Sequence, residues 1–561
     1  MNKLLYPIVF ILALHTQLIS QCNEPQAINY LHGNDVRAAF RNGGDMFWDG
    51  TQAQYQVPYN SGGAPLNTIF AGALWLTAVD PGGNVRSAIQ TYRSNGSDYW
   101  SGPIDPSLGI PQHCQDFDQI WKVSGADVQA LLADYNDNGT IDNPVPSSLL
   151  AWPAHGNPHS PVITNLSHVA DLAPYFDRNM DQVYNPYDGD YPIADPNYPQ
   201  VIADDLMWMV FNDNGGLHTQ SNGSPLKAEI QLTAYAFSCS NDPVINSTIF
   251  TRHKIMSREA LKLSDWHAGI WVDFDLGCNS DDYIGSAPNL NTIYAYNQSN
   301  NDVSCGSGGN GYGTNPPVQA VTMLNQTMDR SIYMINAPNS PMSEPSNAGG
   351  YQNIMKGYWK DGSAMTNNGD GYSPSNILTT PAPHIFPDNP NNATGWSMQT
   401  EGLSGNDLRA LSIIDRDSIY PGESVELVTA YSYHRDMNNN NLQNVDLMYQ
   451  QVPMIQNFFN NGYSNGTCSF ATSVQQISAA KANDWIEVYP NPTKNILTIN
   501  AKEKAITAIE IINPLGQSVL QKSNLNEPTL QLSLKDLNQG FYILKVSSDK
   551  DTWSQKIQIT K

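Results

Sequence analysis

The stretch from Asp265 to Gly285, DWHAGIWVDFDLGCNSDDYIG, concentrates oxygen ligands. Asp273 and Asp275 share one face of an alternating run, Asn279 follows in a turn, and Asp281 and Asp282 close the segment. Carboxylates this close repel one another unless a cation sits among them. Oxygen-only ligands favour calcium over zinc or copper. Two carboxylates about 6–7 Å apart along a strand can also do acid–base work on a glycoside. A plain charged loop is the third reading. Calcium is the expectation adopted, with Asp273, Asp275, Asn279, Asp281 and Asp282 as its ligands.

Two further segments repeat the alternate-oxygen spacing. Asp134, Asn136 and Asn138 precede Gly139 and Ile141, as in the first half of a calcium loop, but the twelfth position is Val145 rather than Glu. An Asn/Asp turn without an ion is the competing reading. In PYFDRNMDQVYNPYDGDYP, Asp177, Asn179 and Asp181 alternate, and Asn185, Asp188 and Asp190 follow within reach. Tyr and Pro residues around them stiffen the loop and lower its ordering cost. A solvated acidic loop is the alternative.

Other chemistry is poorly represented. His155 and His159 stand four apart, but Pro153, Gly156, Pro158 and Pro161 forbid the helix that would align them. His218, His253 and His267 have no companion motif. There is no G-x-S-x-G, and the Gly306–Gly313 run lacks the Lys-Ser/Thr ending of a phosphate loop. No catalytic residue is assigned. The chain has 12 Trp and 28 Tyr, many of them in loop-like sequence. Such rings either stack on sugars or are buried to anchor long loops, and the second reading is preferred.

The elements that position these residues read as strands. Thr68–Val79, Asp205–Asp213, Ala228–Ser238, Ile249–Ser257 and Trp266–Asp275 are apolar or alternating runs separated by turn residues, without intervening helices. Further strands are expected at Thr322–Leu324, Ser331–Ile335 and Ser424–Tyr433. Helices are expected at Ser124–Tyr135 and at Val445–Phe459, the second kinked or broken at Pro453. Residues 276–400 read as loop-rich. The fold class expected is all-β: a large β-sandwich-rich central region with long loops and few helices, followed by a small C-terminal β-sandwich. The boundaries expected are 21–200 for a loop-rich region with acidic loops, 201–463 for a β-sandwich-like region, 464–484 for a linker and 485–561 for the last domain.

Composition narrows the partners. The net charge is −24 over 561 residues, which argues against nucleic acid. Residues 481–561 carry ten Lys and eight acidic residues, so the acidity belongs to the rest of the chain. Lys3 followed by the apolar run Leu4–Leu14 and small Ser20 reads as a secretion signal spanning 1–20. Acylation of Cys22 is the rival, disfavoured by the bulk of Gln21. No later run is long enough for a transmembrane helix. Six cysteines in an exported chain suggest up to three disulfides, and Cys278–Cys305 is the pair expected first.

Four segments carry a resemblance: Val488–Thr493 (VYPNPT), Ile511–Gln517 (IINPLGQ), Leu534–Val546 (LKDLNQGFYILKV) and Gln555–Lys561 (QKIQITK). In order and spacing they resemble the type A C-terminal sorting domain of the Bacteroidetes type IX (Por) secretion system. The resemblance implies Sec export, passage through the outer membrane by the type IX machinery, and release or attachment at the cell surface. Residues 27–470 are similar to an uncharacterised group of such cargo proteins. The function expected is a secreted or cell-surface, calcium-stabilised structural or adhesive protein, with surface glycans or other cells as partners. The alternative is a secreted glycan-binding protein or polysaccharide hydrolase.

Overall fold

Residues Asp205–Asn212 alternate in a way that decides the architecture. Met207, Met209 and Phe211 point to one side, Leu206, Trp208 and Val210 to the other, and all six are buried. A strand apolar on both faces belongs inside a layered structure. The computed structural model shows this. It describes residues 22–59, 62, 64–166, 171–306, 309–373, 380–464, 468, 486–491, 493–502, 504–513, 518–523, 525–535, 537–548 and 552–560. The expected signal segment 1–20, most of the linker and the turn at Leu515–Gln517 lie outside the described residues. The chain divides into two compact units, Met1–Ser473 and Val474–Lys561.

The first unit is built on two antiparallel sheets. One runs in the order Ile28–Leu31, Arg37–Arg41, Tyr55–Gln56, Asn67–Val79, Leu263–Phe274, Leu408–Ile419, Arg330–Ile335, with Val85–Ala88 beside Asn67–Val79. The other runs Asp282–Ala287, Thr292–Asn297, Val318–Met323, Ser424–His434, Thr248–Ser257, Ala228–Ala236, Asp205–Asn212, Trp100–Ser101, with Trp121–Ser124 also on the Asp205–Asn212 strand. One hydrophobic cluster joins both sheets, from Ile270 and Val272 to Met209 and Leu232. This is the β-sandwich expected. A second cluster covers the far face of the nine-stranded sheet. Trp208, Val210 and Phe250 meet Val128, Leu131 and Leu132 of the helix Gly125–Asn138, and Ile455 and Phe458 of the helix Asn441–Asn460.

The expected division at residue 200 is corrected. Strands from both sides of it lie in each sheet, because the extended Asn67–Val79 strand finds its long partner only at Leu263–Phe274. The helix Asn441–Asn460 begins four residues earlier than expected, on a capping box between Asn440 and Gln443, and continues through Pro453. Three disulfides, Cys22–Cys114, Cys239–Cys468 and the expected Cys278–Cys305, join distant segments.

The second unit has a three-stranded sheet (Ile486–Tyr489, Ile496–Ala501, Thr529–Ser533) and a four-stranded one (Ser518–Lys522, Ala508–Ile512, Gly540–Ser547, Thr552–Ile559). Leu497, Ile499, Ile511, Leu544 and Ile557 form its core. The alternation expected from the sequence accounts for it: Ile509 and Ile511 turn inward, while Glu510 between them does not.

Candidate functional site

The Leu263–Phe274 strand places Trp266, Ala268, Ile270, Val272 and Phe274 in the sandwich core, as its alternation demands. The opposite face is buried too. Trp271 stacks on Trp75 at 5.8 Å between ring centroids, Tyr351 of the helix Ala348–Met355 meets Trp75 edge-on, and Tyr92 meets Trp271. Asp273 continues this face. It is 2% exposed and lies directly opposite Arg409 in the strand register. Arg409 Nε sits 3.1 Å from Asp273 Oδ1, and Tyr92 donates its hydroxyl hydrogen to Oδ2 at 2.5 Å. The same guanidinium donates to Tyr92 Oη and to Asp407 Oδ1, and stands 3.9 Å from Glu344 Oε1.

Carboxylate oxygens of Asp273, Asp275 and Asp407 all lie within 4.8 Å of one another. One guanidinium therefore faces an excess of negative charge. Burial raises the Asp273 carboxyl above its ordinary range, Arg409 opposes the rise, and Asp407 adds to it. Asp275 is raised further, by burial and then by Asp273 and Asp407. Glu344 is raised by burial as well. Glu344 and Arg409 also line a cleft of about 310 Å³ whose other walls are Asn, Gln, Ser, Thr, Pro, Ala and Ile side chains, with no aromatic ring.

The remaining expected ligands of this stretch are not brought to Asp273. The chain turns at Gly277, and the turn is fixed from elsewhere: Cys278 is bonded to Cys305, and its N–H donates to Asp302 Oδ1. Asp282 sits fully buried on the next strand, where its Oδ2 accepts from the Leu276 N–H. Asp281 lies beside the Asn297 side chain, and Asn279 lies in the turn between. Burial raises Asp282 well above the carboxylate range, with Asp275, Asp281 and Asp302 adding to it. The five-ligand shell is thus replaced by two linked groups, Asp273–Asp275–Asp407 around Arg409 and a separate set at Asp281, Asp282 and Asp302.

The segment Asp177–Asp190 joins the paired strands Tyr175–Phe176 and Tyr191–Pro192. Counting Asp177 as position 1, Asn179, Asp181, Asn185 and Asp188 fall at 3, 5, 9 and 12, the oxygen-ligand positions of a twelve-residue calcium loop. Gln182 holds position 6 with φ 66°, the left-handed turn such loops need, and its N–H donates to Asp177 Oδ2 at 2.8 Å. Asp177 Oδ1 is buried and accepts no hydrogen bond among the described residues. Asp190 lies two residues beyond Asp188. It is fully buried and accepts from the N–H groups of Arg178 and Asn185, so it braces both arms of the loop. Burial raises its carboxyl to about 6, against those two donors.

The third expected loop is corrected. The helix Gly125–Asn138, capped by Ser124, runs through Asp134, Asn136 and Asn138 and ends at Gly139 with φ 85°. On a helix the middle of three alternate residues points away from the other two. Asp134 instead closes the helix end, accepting from the backbone and side-chain nitrogens of Asn143.

His155 and His159 lie in a turn-rich segment, as their prolines require. His267 does have company invisible in sequence: its Nε2 stands 3.7 Å from Asp265 Oδ1 and 3.6 Å from Asp415 Oδ1. Every tryptophan from Trp48 to Trp396 is buried, six of them on strands, so none of these rings forms an exposed sugar platform. Among the described residues no helix is long and apolar enough to cross a membrane.

A family model described as a secretion system C-terminal sorting domain matches residues 487–560. No curated protein matches the chain. Two solved structures are similar at 7% identity. One is a polysaccharide lyase, with TM-score 0.19, covering 59% of this chain and 34% of its own; this chain thus spans about a third of the lyase. The other is the BSP domain of a biofilm-associated protein, with TM-score 0.12, covering 96% of this chain and 81% of its own. At these TM-scores neither likeness carries an argument.

Proposed function

We infer that the chain, whose tail is a type A sorting domain of the type IX secretion system, is cargo carried by that machinery to the cell surface or the extracellular space. We propose that the cargo body is a calcium-stabilised structural or adhesive protein, released from a Sec leader at residues 1–20 and presented to surface glycans or other cells. The observation carrying calcium is the Asp177–Asp188 loop, with oxygen side chains at positions 1, 3, 5, 9 and 12 and a left-handed turn at position 6. Asp177, Asn179, Asp181 and Asp188 would hold the ion, which supplies charge compensation and loop order and takes part in no reaction. Asp273, Asp275 and Asp407 form a second oxygen-only cluster that suits calcium, in competition with Arg409. A structural role is also supported by the closed carboxylate cluster and the lack of aromatic walls in the cleft beside it.

The experiment is metal analysis of the secreted protein, followed by terbium titration. Tyr175, Tyr184 and Tyr187 flank the loop, so a bound lanthanide would be sensitised by them. Emission that calcium displaces and Asp177→Ala abolishes supports the reading. A calcium ligand present at about a hundred times its Kd stabilises by about 2.7 kcal/mol. A melting temperature unmoved by chelator, together with no sensitised emission, refutes it.

A further inference from the structure

The geometry points to a binding site for a neutral oligosaccharide on the outer face of the nine-stranded sheet, distinct from the calcium loop and independent of it. The face is apolar along most of its strands, but across four of them it carries polar rows. Trp208, Thr233 and Arg252 are consecutive partners in the register, and Gln231, Lys254 and Glu426 form the next row. Segments 171–175 and 196–197 wall these rows into a cleft of about 420 Å³.

Two donors in this cleft lack acceptors. Trp208 Nε1 and Arg252 Nε are buried, with no hydrogen-bond partner among the described residues. Trp208 is fully buried and Arg252 is 6% exposed. An orphaned buried donor is costly, so two in one cleft call for a ligand with acceptor oxygens. The charges decide which kind. Arg252 is already held by Glu426 at 2.5 Å and by Asp195 at 3.7 Å, and Lys254 stands 3.7 Å from Asp171. Three carboxylates against two cations give an added anion no net attraction. A sugar hydroxyl accepts from Trp208 or Arg252 and donates to Glu426, which an apolar ligand does not, and a neutral sugar brings no carboxylate against those already there.

The test uses the full-length secreted protein in calorimetric titrations and saturation-transfer NMR. The probes are neutral gluco-, xylo- and manno-oligosaccharides, with oligogalacturonate as the charged counterpart. At least one neutral series is expected to bind, with the acidic oligomer weaker. Trp208→Phe removes the N–H together with one ring of a fully buried indole, so some loss of stability is expected with it. Where it stays folded it should weaken binding by about 3–10-fold. Lys254→Met, at a half-buried position on the same rows, decides the matter if the Trp208 variant is unstable, and should also weaken binding. The proposal is overturned if no neutral series binds at millimolar concentration, if the acidic oligomer binds more tightly, or if the folded variants bind as the parent does. None of these outcomes touches the calcium reading, which rests on chelation and terbium.

Discussion

Asp273 and Arg409 are direct cross-strand partners, with Arg409 Nε 3.1 Å from Asp273 Oδ1 in a site where both residues are under 10% exposed. The pair ties the centre of the eight-stranded sheet to a group of surplus carboxylates. Removing the guanidinium leaves Asp273, Asp407 and Glu344 without their shared cation. Arg409→Met is therefore expected to destabilise the body by about 3–5 kcal/mol in chemical denaturation. Adding Asp273→Asn should recover part of that loss, and purely additive effects would show that the two residues do not interact.

Asp302 provides a pH test. Burial raises its carboxyl to about 7, against N–H donors from Tyr312 and Cys278. Its folded pKa lies above the unfolded value near 4, so the folded state holds the extra proton between those values. Its contribution is complete below about pH 4 and is lost as pH rises to about 7. Relative to Asp302→Asn, the parent should lose stability on the order of 2–4 kcal/mol between about pH 5 and about pH 8 in chelator. Urea midpoints at several pH values measure this, and a constant difference would rule it out.

Much of this arrangement could not be read from the sequence. The strands around Asp205–Ser257 were legible because period-two alternation is local. The Leu408–Ile419 strand was not, because Asp415, Arg416 and Asp417 break its apolar pattern, and its partners, Leu263–Phe274 and Arg330–Ile335, are remote in sequence. Missing it meant missing Arg409 and Asp407, and with them the true surroundings of Asp273. The Asp134 loop failed for a different reason: Asn and Asp at alternate positions suit a turn, but Leu131 and Leu132 in the second core held the helix onward to Asn138. The turn over Asp177–Asp188 was legible because its Asn and Asp residues all fall within twelve residues.

His253 gives the opposite pH dependence. It is fully buried, both ring nitrogens lack partners among the described residues, and burial lowers its pKa to about 3. The unfolded state therefore binds the proton first as pH falls below about 6.5, and stability is lost from there down to about 3. His253→Leu is expected to stabilise the body, by more at about pH 5 than at about pH 8. Calorimetric melts at both values check it. A variant less stable than the parent at both would mean that the imidazole has partners, such as internal water.

The Cys239–Cys468 bond closes a loop of 229 residues in sequence separation. Replacing both cysteines with Ala should cost about 2–5 kcal/mol. Urea unfolding of the variant and the parent, both without reductant, measures the effect, and identical midpoints would count against it.

That same bond sets a load path. Tension applied through the C-terminal unit enters the body at Cys468 and passes across the sulfurs to Cys239, just beyond the Ala228–Ala236 strand. Residues 240–467 are shunted out of the loaded backbone, and with them the Arg409 cluster. The pull reaches instead the interior of the nine-stranded sheet, where that strand is hydrogen-bonded on both sides. A body loaded this way resists being unravelled from its C-terminal side.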